Sequence, residues 1–282
     1  MSQQTTITID NREIQATIGA NLLQTARDNG FAIPSLCYHK KLSPTGACRL
    51  CVVKVKGIPG MMASCGVKVK EGMEVIAFDP ELEDTRRDLL DYLLAEHNEA
   101  DDGSYPDEFR ELVHKYGLDD PANRHFPSIW KELGYPVDDS SQVLTYDASK
   151  CIKCFRCIKA CDEVQGKNVL SFTNRGITST IIAGFDHWNG SECDGCGECI
   201  QLCPTGAIVE KPHRKEINLK EELKTVRTTC PYCGVGCQLD LVVQNGHIVR
   251  SIGTQGVSPN DGRLCVKGRF GYEYINHPDR LT

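Results

Sequence analysis

Residues 151–161 read CIKCFRCIKAC, and residues 193–204 read CDGCGECIQLCP. Both runs space four cysteines as C-x2-C-x2-C-x3-C: Cys151, Cys154, Cys157 and Cys161, then Cys193, Cys196, Cys199 and Cys203. The pair is an internal repeat. Three thiolates at two-residue gaps sit on one tight loop and wrap one face of a metal–sulfur cubane. The fourth lies at the start of a helix pointing away, so it reaches the cubane built on the other run. This crossed reading groups Cys151, Cys154 and Cys157 with Cys203. It groups Cys193, Cys196 and Cys199 with Cys161.

The remaining cysteines fall into two further groups of four. The first is Cys37, Cys48, Cys51 and Cys65; the last is Cys230, Cys233, Cys237 and Cys265. All 16 cysteines of the 282-residue chain are thereby used. Four thiolates is the ligand count of an iron–sulfur cluster or a structural zinc. A chain this long buries a core without disulfides. The N-terminal MSQQTTITID lacks the basic-then-apolar pattern of a secretory signal, so a cytoplasmic location is expected. In that compartment clustered cysteines are metal ligands rather than disulfides.

Composition narrows the class. Apolar residues are 40% and charged residues 25%, the balance of a globular chain. A net charge of −6 argues against a nucleic-acid binder working through bulk charge. No apolar run approaches the ~18 residues of a membrane span.

Working outward from the two runs, their spacing resembles that of the two-cluster bacterial ferredoxin domain, and the second run ends in the matching Cys203-Pro204. The resemblance implies two [4Fe–4S] clusters. Zinc ribbons use two C-x2-C knuckles instead.

Upstream, residues 1–78 read as a small α+β sheet domain. Thr5–Ile9 and Ile14–Thr17 alternate around an Asp10-Asn11 turn, a hairpin. Asn21–Asn29 carries Leu22, Leu23 and Ala26 on one side and stops at Gly30, a helix. Val52–Lys56, Met61–Ser64 and Met73–Phe78 are expected strands. The segment SLCYHKKLSPTGACRLCVVKV, with Cys65 following, resembles the [2Fe–2S] domain of the complex I large subunit and NAD-linked formate dehydrogenases. Iron-only hydrogenases carry it too. A β-grasp fold and one [2Fe–2S] cluster are implied. Gly46 and Ala47 beside Cys48 would let backbone N–H groups approach cluster sulfurs.

Residues 79–140 are expected as a helical linker. Leu82, Leu89, Leu90, Leu93 and Leu94 form a stripe over Pro80–Asn98. An acidic break covers 100–106. Glu108–Tyr116 is a second helix, and 123–139 is irregular. The complex I subunit places a cluster here on one histidine and three cysteines. This chain retains His97 alone, so the region reads as a degenerate cluster domain with His97 at a helix end. That loss would interrupt a route between the [2Fe–2S] site and the ferredoxin pair.

Residues 141–215 form the expected two-cluster domain, and 216–282 a small β-rich domain. Lys211–Thr229 reads as a charged connector, and Asn245-Gly246 as a hairpin turn after Gln238–Val243. The segments TTCPYCGVGCQLDLVV and GRLCVKGRFGYEYINHPDRLT resemble the N-terminal [4Fe–4S] domain of molybdopterin-dependent oxidoreductases. The resemblance puts Lys267, in C-x-K-G, between that cluster and a Mo/W bis-pterin guanine dinucleotide. The bland alternative is a solvated lysine. Only 17 residues follow Cys265, up to Thr282, and the catalytic domain of that family is hundreds of residues. It could be a separate docking subunit, could have been lost, or could have been cut from this chain.

No nucleophile–base constellation, Walker loop or G-x-G-x-x-G is present, and no complete catalytic site is expected. The expected function is electron transfer by one [2Fe–2S] and three [4Fe–4S] clusters. The expected partners are a flavoprotein NAD(P)-binding subunit, a small [2Fe–2S] subunit, a Mo/W formate dehydrogenase subunit and ferredoxin. The alternative is a wire of a hydrogenase, transhydrogenase or other bifurcating complex without a pterin site.

Overall fold

The Asp10-Asn11 pair turns the chain with both residues at positive φ, 47° and 63°. Such a turn matches the twist of paired strands. It joins β1 (Gln4–Ile9) to β2 (Arg12–Thr17) in antiparallel register, with Ile7 opposite Ile14. The computed structural model describes residues 3–100, 107–211, 218 and 221–280. The acidic break expected at 100–106 lies outside the described residues from 101 on. So do 212–217, 219 and 220 of the expected connector.

The chain divides into two units. The first comprises Met1–His97, Glu108–Glu132 and Ile152–Phe155. After the hairpin comes α1 (Leu22–Asp28), capped by the Asn21 side chain accepting from Gln24 N at 3.0 Å. Then follow β3 (Val52–Val55), β4 (Met61–Ala63) and β5 (Glu74–Ile76). They complete a five-stranded sheet of order β2-β1-β5-β3-β4, in which β1 and β5 run parallel. Ile7, Ile9, Leu22, Leu23 and Val53 are at most 1% exposed in its core. Burying each such side chain contributes about 1.5–3 kcal/mol.

Helix α2 (Pro80–Ala95) starts on Asp79, whose side chain accepts from Leu82 N at 2.8 Å, with Pro80 in the first turn. Its buried positions Leu82, Arg86, Leu90 and Leu94 recur every four residues. Helix α3 (Glu108–Lys115) buries Phe109 and Val113 in the core that also holds Leu90 and Leu94. His97 lies just past α2. Its N–H donates to Leu94 O at 3.1 Å, and its ring, 4% exposed, meets Phe109 edge-on.

The second unit comprises Asn98–Asp107, Leu133–Cys151 and Arg156–Thr282. Strands β6 (Val137–Asp138), β7 (Leu144–Asp147) and, later, β10 (Ile208–Glu210) form one antiparallel sheet of order β10-β7-β6. Between them lie short α4 (Arg156–Lys159), the hairpin β8 (Leu170–Thr173) and β9 (Thr180–Ala183), and short α5 (Glu198–Gln201). Then β11 (Lys224–Thr229), β12 (Gln238–Gln244) and β13 (His247–Gly253) make a second sheet, followed by α6 (Val266–Phe270).

Two features differ from the sequence reading. Lys224–Thr229 is a strand paired along its length with β12, not a charged connector. All six of its residues are exposed, so no apolar alternation marks it. Within 123–139, Val137–Asp138 pairs with β7 through ladder bonds that polar residues make as well as apolar ones.

Candidate metal centres

In the first unit, Cys37 and Cys48 sit on the connection between α1 and β3, Cys51 precedes β3, and Cys65 lies in a 3-10 turn after β4. Their exposures are 2%, 6%, 0% and 1%. Cys48 Sγ lies 3.4 Å from Cys37 Sγ and accepts from Leu36 N at 3.3 Å. Hydrogen bonds from Cys48 and Cys65 hold the Cys37 thiol far below its ordinary value. A bond from Cys65 lowers Cys51 to about 7. As the donors, Cys48 and Cys65 are pushed up. Four buried thiols thus share protons with one another, and the thiolate is the form that binds metal.

Residues that the sequence reading missed brace this group. The Arg86 side chain, 0% exposed, donates to Leu50 O at 3.1 Å and Val52 O at 2.7 Å, the carbonyls flanking Cys51. It also reaches Ala77 O at 2.8 Å and contacts Glu83. Its signal was an arginine in the core-facing stripe of α2. Ser64 Oγ donates to Cys51 O at 2.7 Å, and Asn21 Nδ2 to Cys65 O at 2.5 Å.

The same unit holds Ile152 and Cys154, which share one apolar core with Cys37 and Cys48. The loop around Cys154 has Lys153 and Phe155 at positive φ, 55° and 69°. Lys153 Nζ bonds Glu96 Oε2 at 2.6 Å, with both side chains largely buried.

The second unit holds Cys151, Cys157 and Cys203, all packed in or against one core. Tyr146, 1% exposed in that core, accepts from Ile181 N at 3.1 Å through its hydroxyl. Burial, then the Cys151 charge, pushes its phenol up. Cys203 Sγ is 3.7 Å from Thr205 Oγ1.

Cys161, Cys193, Cys196 and Cys199 line one pocket of about 380 Å³, part of it open to solvent. Cys161 comes from a π-helical turn after α4, and its Sγ accepts from Val169 N at 3.3 Å. Burial raises the Cys196 thiol to about 11, while the Arg269 guanidinium pulls it down. Buried Arg269 donates to Cys196 O at 2.7 Å and Gln201 Oε1 at 2.7 Å, and pairs with Glu198 at 3.3 Å. Gly197, at φ 72°, makes room for it.

Cys230, Cys233 and Cys237 of the last group lie on the turn from β11 to β12, and Cys265 directly precedes α6. Cys230 N donates to Cys237 O at 2.8 Å. Burial, then the charges of Cys230, Cys233 and Cys265, raises the Cys237 thiol. Cys230 is buried, whereas Cys233 and Cys265 are exposed. Exposed Lys267 lines a pocket with Cys230, Tyr232 and Gly268, with about 600 Å³ of empty space.

These thiol sets suit polynuclear clusters. Among the described residues no three His, Cys, Asp or Glu groups converge as one mononuclear ion requires. A cubane does not require it, because each thiolate binds a different iron. The observed fit is that hydrogen bonds link the four thiols of the first group, and that Cys161, Cys193, Cys196 and Cys199 line one pocket.

Three family models match the chain. The 2Fe-2S iron-sulfur cluster binding domain matches residues 2–77. The ferredoxin-like domain of NADH-quinone oxidoreductase subunit 3 matches 141–209. The molybdopterin oxidoreductase Fe4S4 domain matches 223–277. Iron–sulfur cluster domains thus account for most of the chain.

This iron–sulfur chain is 34% identical over 280 residues to an NADH-quinone oxidoreductase subunit of Rhizobium meliloti, covering 98% of the chain and 32% of that protein. The alpha subunit of the NADPH-Fe(3+) oxidoreductase of Geobacter sulfurreducens has the same 34%, 98% and 32%. The iron–sulfur chain therefore spans about a third of the length of these curated relatives. A chain of an NAD+-reducing [NiFe]-hydrogenase, solved in its H2-reduced state, superposes with a TM-score of 0.66 at 29% identity. That likeness covers 74% of the iron–sulfur chain and 88% of the other. Among the described residues no helix is long and apolar enough to cross a membrane.

Proposed function

We propose that this iron–sulfur chain carries single electrons between a Mo/W-pterin formate dehydrogenase site on another chain and a flavoprotein that handles NAD(P). The observation that carries this reading is the asymmetry of its thiol groups. The first group is buried on all four cysteines, while Cys233 and Cys265 of the last are exposed beside Lys267. A wire needs such a surface end to meet a second chain. The match of residues 223–277 to a molybdopterin oxidoreductase domain supports a pterin partner facing Lys267.

In this reading Cys37, Cys48, Cys51 and Cys65 hold a [2Fe–2S] cluster in a β-grasp domain over 1–78, supported by the five-stranded sheet and α1. Residues 79–140 are a linker. Within 141–215, Cys151, Cys154, Cys157 and Cys203 hold one [4Fe–4S] cluster, and Cys161, Cys193, Cys196 and Cys199 another. Cys230, Cys233, Cys237 and Cys265 hold the last, in 216–282. Bound clusters supply one-electron redox chemistry.

The protein's own groups orient, bury and bond these thiolates, which sets potentials. The core shared by Cys154, Cys37 and Cys48 supports a direct path past His97. Arg269 ties the Cys196 loop to the helix that follows Cys265.

A second reading rests on the hydrogenase likeness: a wire of a hydrogenase, transhydrogenase or bifurcating complex without a pterin site. Affinity purification from the native cell discriminates. A co-purifying pterin subunit supports the first reading, and flavin subunits alone the second. Metal analysis should find about 14 iron per chain, from one two-iron and three four-iron clusters. Zinc in place of iron would overturn both readings.

A further inference from the structure

The loop that carries the first cysteine group has charge of one sign. From Asn29 to Lys70 the chain holds seven Lys and Arg residues and no Asp or Glu, against a net charge of −6 for the whole. Two of the seven are balanced by partners: Lys54 bonds Asp79 and Glu81, each at 2.6 Å, and Lys56 bonds Glu74 at 2.7 Å. Lys40 and Arg49 differ. Both are exposed, both lie between Cys37 and Cys51, and neither makes an ion pair among the described residues.

Arg49 also sits at φ 60°, a left-handed conformation that costs a non-glycine residue about 1–2 kcal/mol. Its neighbours Cys48 and Leu50 are buried, at 6% and 0% exposure, while Arg49 itself faces solvent. Exposed cations thus alternate with buried thiols along the Cys37–Cys51 stretch, which forms a positive rim.

We propose that this rim, centred on Lys40 and Arg49, is the docking surface for a small acidic one-electron carrier protein of the ferredoxin type. The proposal rests on the electron-transfer reading above and adds where and how one carrier engages. One electron leaves the reduced carrier and one is gained at the site held by Cys37, Cys48, Cys51 and Cys65. No proton or covalent bond is exchanged.

The chemistry of the rim selects a transient carrier over a permanently bound subunit. Its exposed residues are Lys40, Ser43, Pro44, Ala47 and Arg49, with no large apolar side chain among them. Permanent interfaces have an apolar core, whereas redox encounters are small and polar. Opposite charges on such surfaces accelerate encounter and lose that effect in salt.

The test uses the full chain with its clusters and a reduced, acidic ferredoxin as probe. Stopped-flow absorbance follows electron arrival at increasing ionic strength, and a zwitterionic viologen serves as the reference reductant. Carbodiimide cross-linking with peptide mapping reads docking independently of electron flow.

The expected result is a wild-type ferredoxin rate that falls steeply with salt. In Lys40→Glu/Arg49→Glu the ferredoxin-to-viologen rate ratio drops about tenfold or more at low salt, and the gap closes at high salt. Cross-links should map to Lys40. The milder Lys40→Gln/Arg49→Gln should fall between the two, and it keeps the test open if charge reversal prevents folding. The same reversal at Lys68 and Lys70, exposed but outside the Cys37–Cys51 stretch that carries Lys40 and Arg49, should leave the ratio unchanged.

An unchanged ratio in the rim variants, or an equal drop from Lys68→Glu/Lys70→Glu, would overturn the docking surface. A chain that takes no electrons even from the viologen would overturn the electron-transfer reading itself.

Discussion

Arg269 Nη2 lies 3.3 Å from Glu198 Oε2, with the two side chains only 3% and 0% exposed. Glu198 stands between Cys196 and Cys199 in sequence, and Arg269 stands four residues after Cys265. One buried ion pair thus joins the loop of one thiol group to the helix following another. Gly197 permits it, since a Cβ there would collide with Arg269 Cδ. A buried pair contributes little net stability as a pair, because both charges lose water, but removing one partner strands the other.

Arg269→Gln is therefore expected to destabilise the second unit by about 3–5 kcal/mol in denaturant unfolding. Replacing both partners, as Arg269→Met/Glu198→Leu, should recover part of that loss. Equal losses in the single and double variants would show that the bonds to Cys196 O and Gln201 matter more than the pair.

Gly197→Ala should be destabilising whatever the neighbours do. The left-handed backbone at φ 72° costs alanine about 1–2 kcal/mol, and the contact with Arg269 adds to it. Thermal unfolding of the variant, alone and combined with Arg269→Ala, separates the two contributions. The combined variant should lose less than the sum.

Arg86→Met should weaken the first unit by about 3 kcal/mol or more, because the carbonyls of Leu50, Val52 and Ala77 would lose a buried charged donor. The change flanks Cys51, so the signal expected from a [2Fe–2S] cluster should shift or weaken. The signals of the other clusters should stay, as electron paramagnetic resonance can check.

Cys203→Ser and Cys161→Ser separate crossed from uncrossed ligation. In the crossed arrangement Cys203→Ser perturbs the cluster on Cys151, Cys154 and Cys157, and Cys161→Ser the one on Cys193, Cys196 and Cys199. Resonance spectra with the reverse pattern would show that each run keeps its own fourth cysteine. The cavity shared by Cys161 and the second run favours the crossed outcome.

Much of the local structure was legible because its causes are local. Asp10-Asn11 and Asn245-Gly246 turn where expected, as both pairs adopt positive φ readily. Asn21 caps α1 where a side-chain acceptor meets free N–H groups. Lys224–Thr229 escaped notice because a strand exposed on both faces carries no period-two signal. The hairpin of β8 and β9 lay unread between the two cysteine runs, because its four-residue strands are too short for a clear alternation.

The sequence by itself determined how the cysteines are spaced, and so which residues are the candidate ligands. Spacing is read directly along the chain, so sixteen cysteines sort into four groups without any knowledge of the fold. Only the tertiary structure decided what surrounds them. It buried Arg86 and Arg269, put Cys154 in one core with Cys37 and Cys48, and left Cys233 and Cys265 open. Burial and charge pairing depend on partners dozens of residues away. Arg86 meets carbonyls at Leu50 and Val52, and Arg269 meets Glu198, contacts that exist only once the chain has folded.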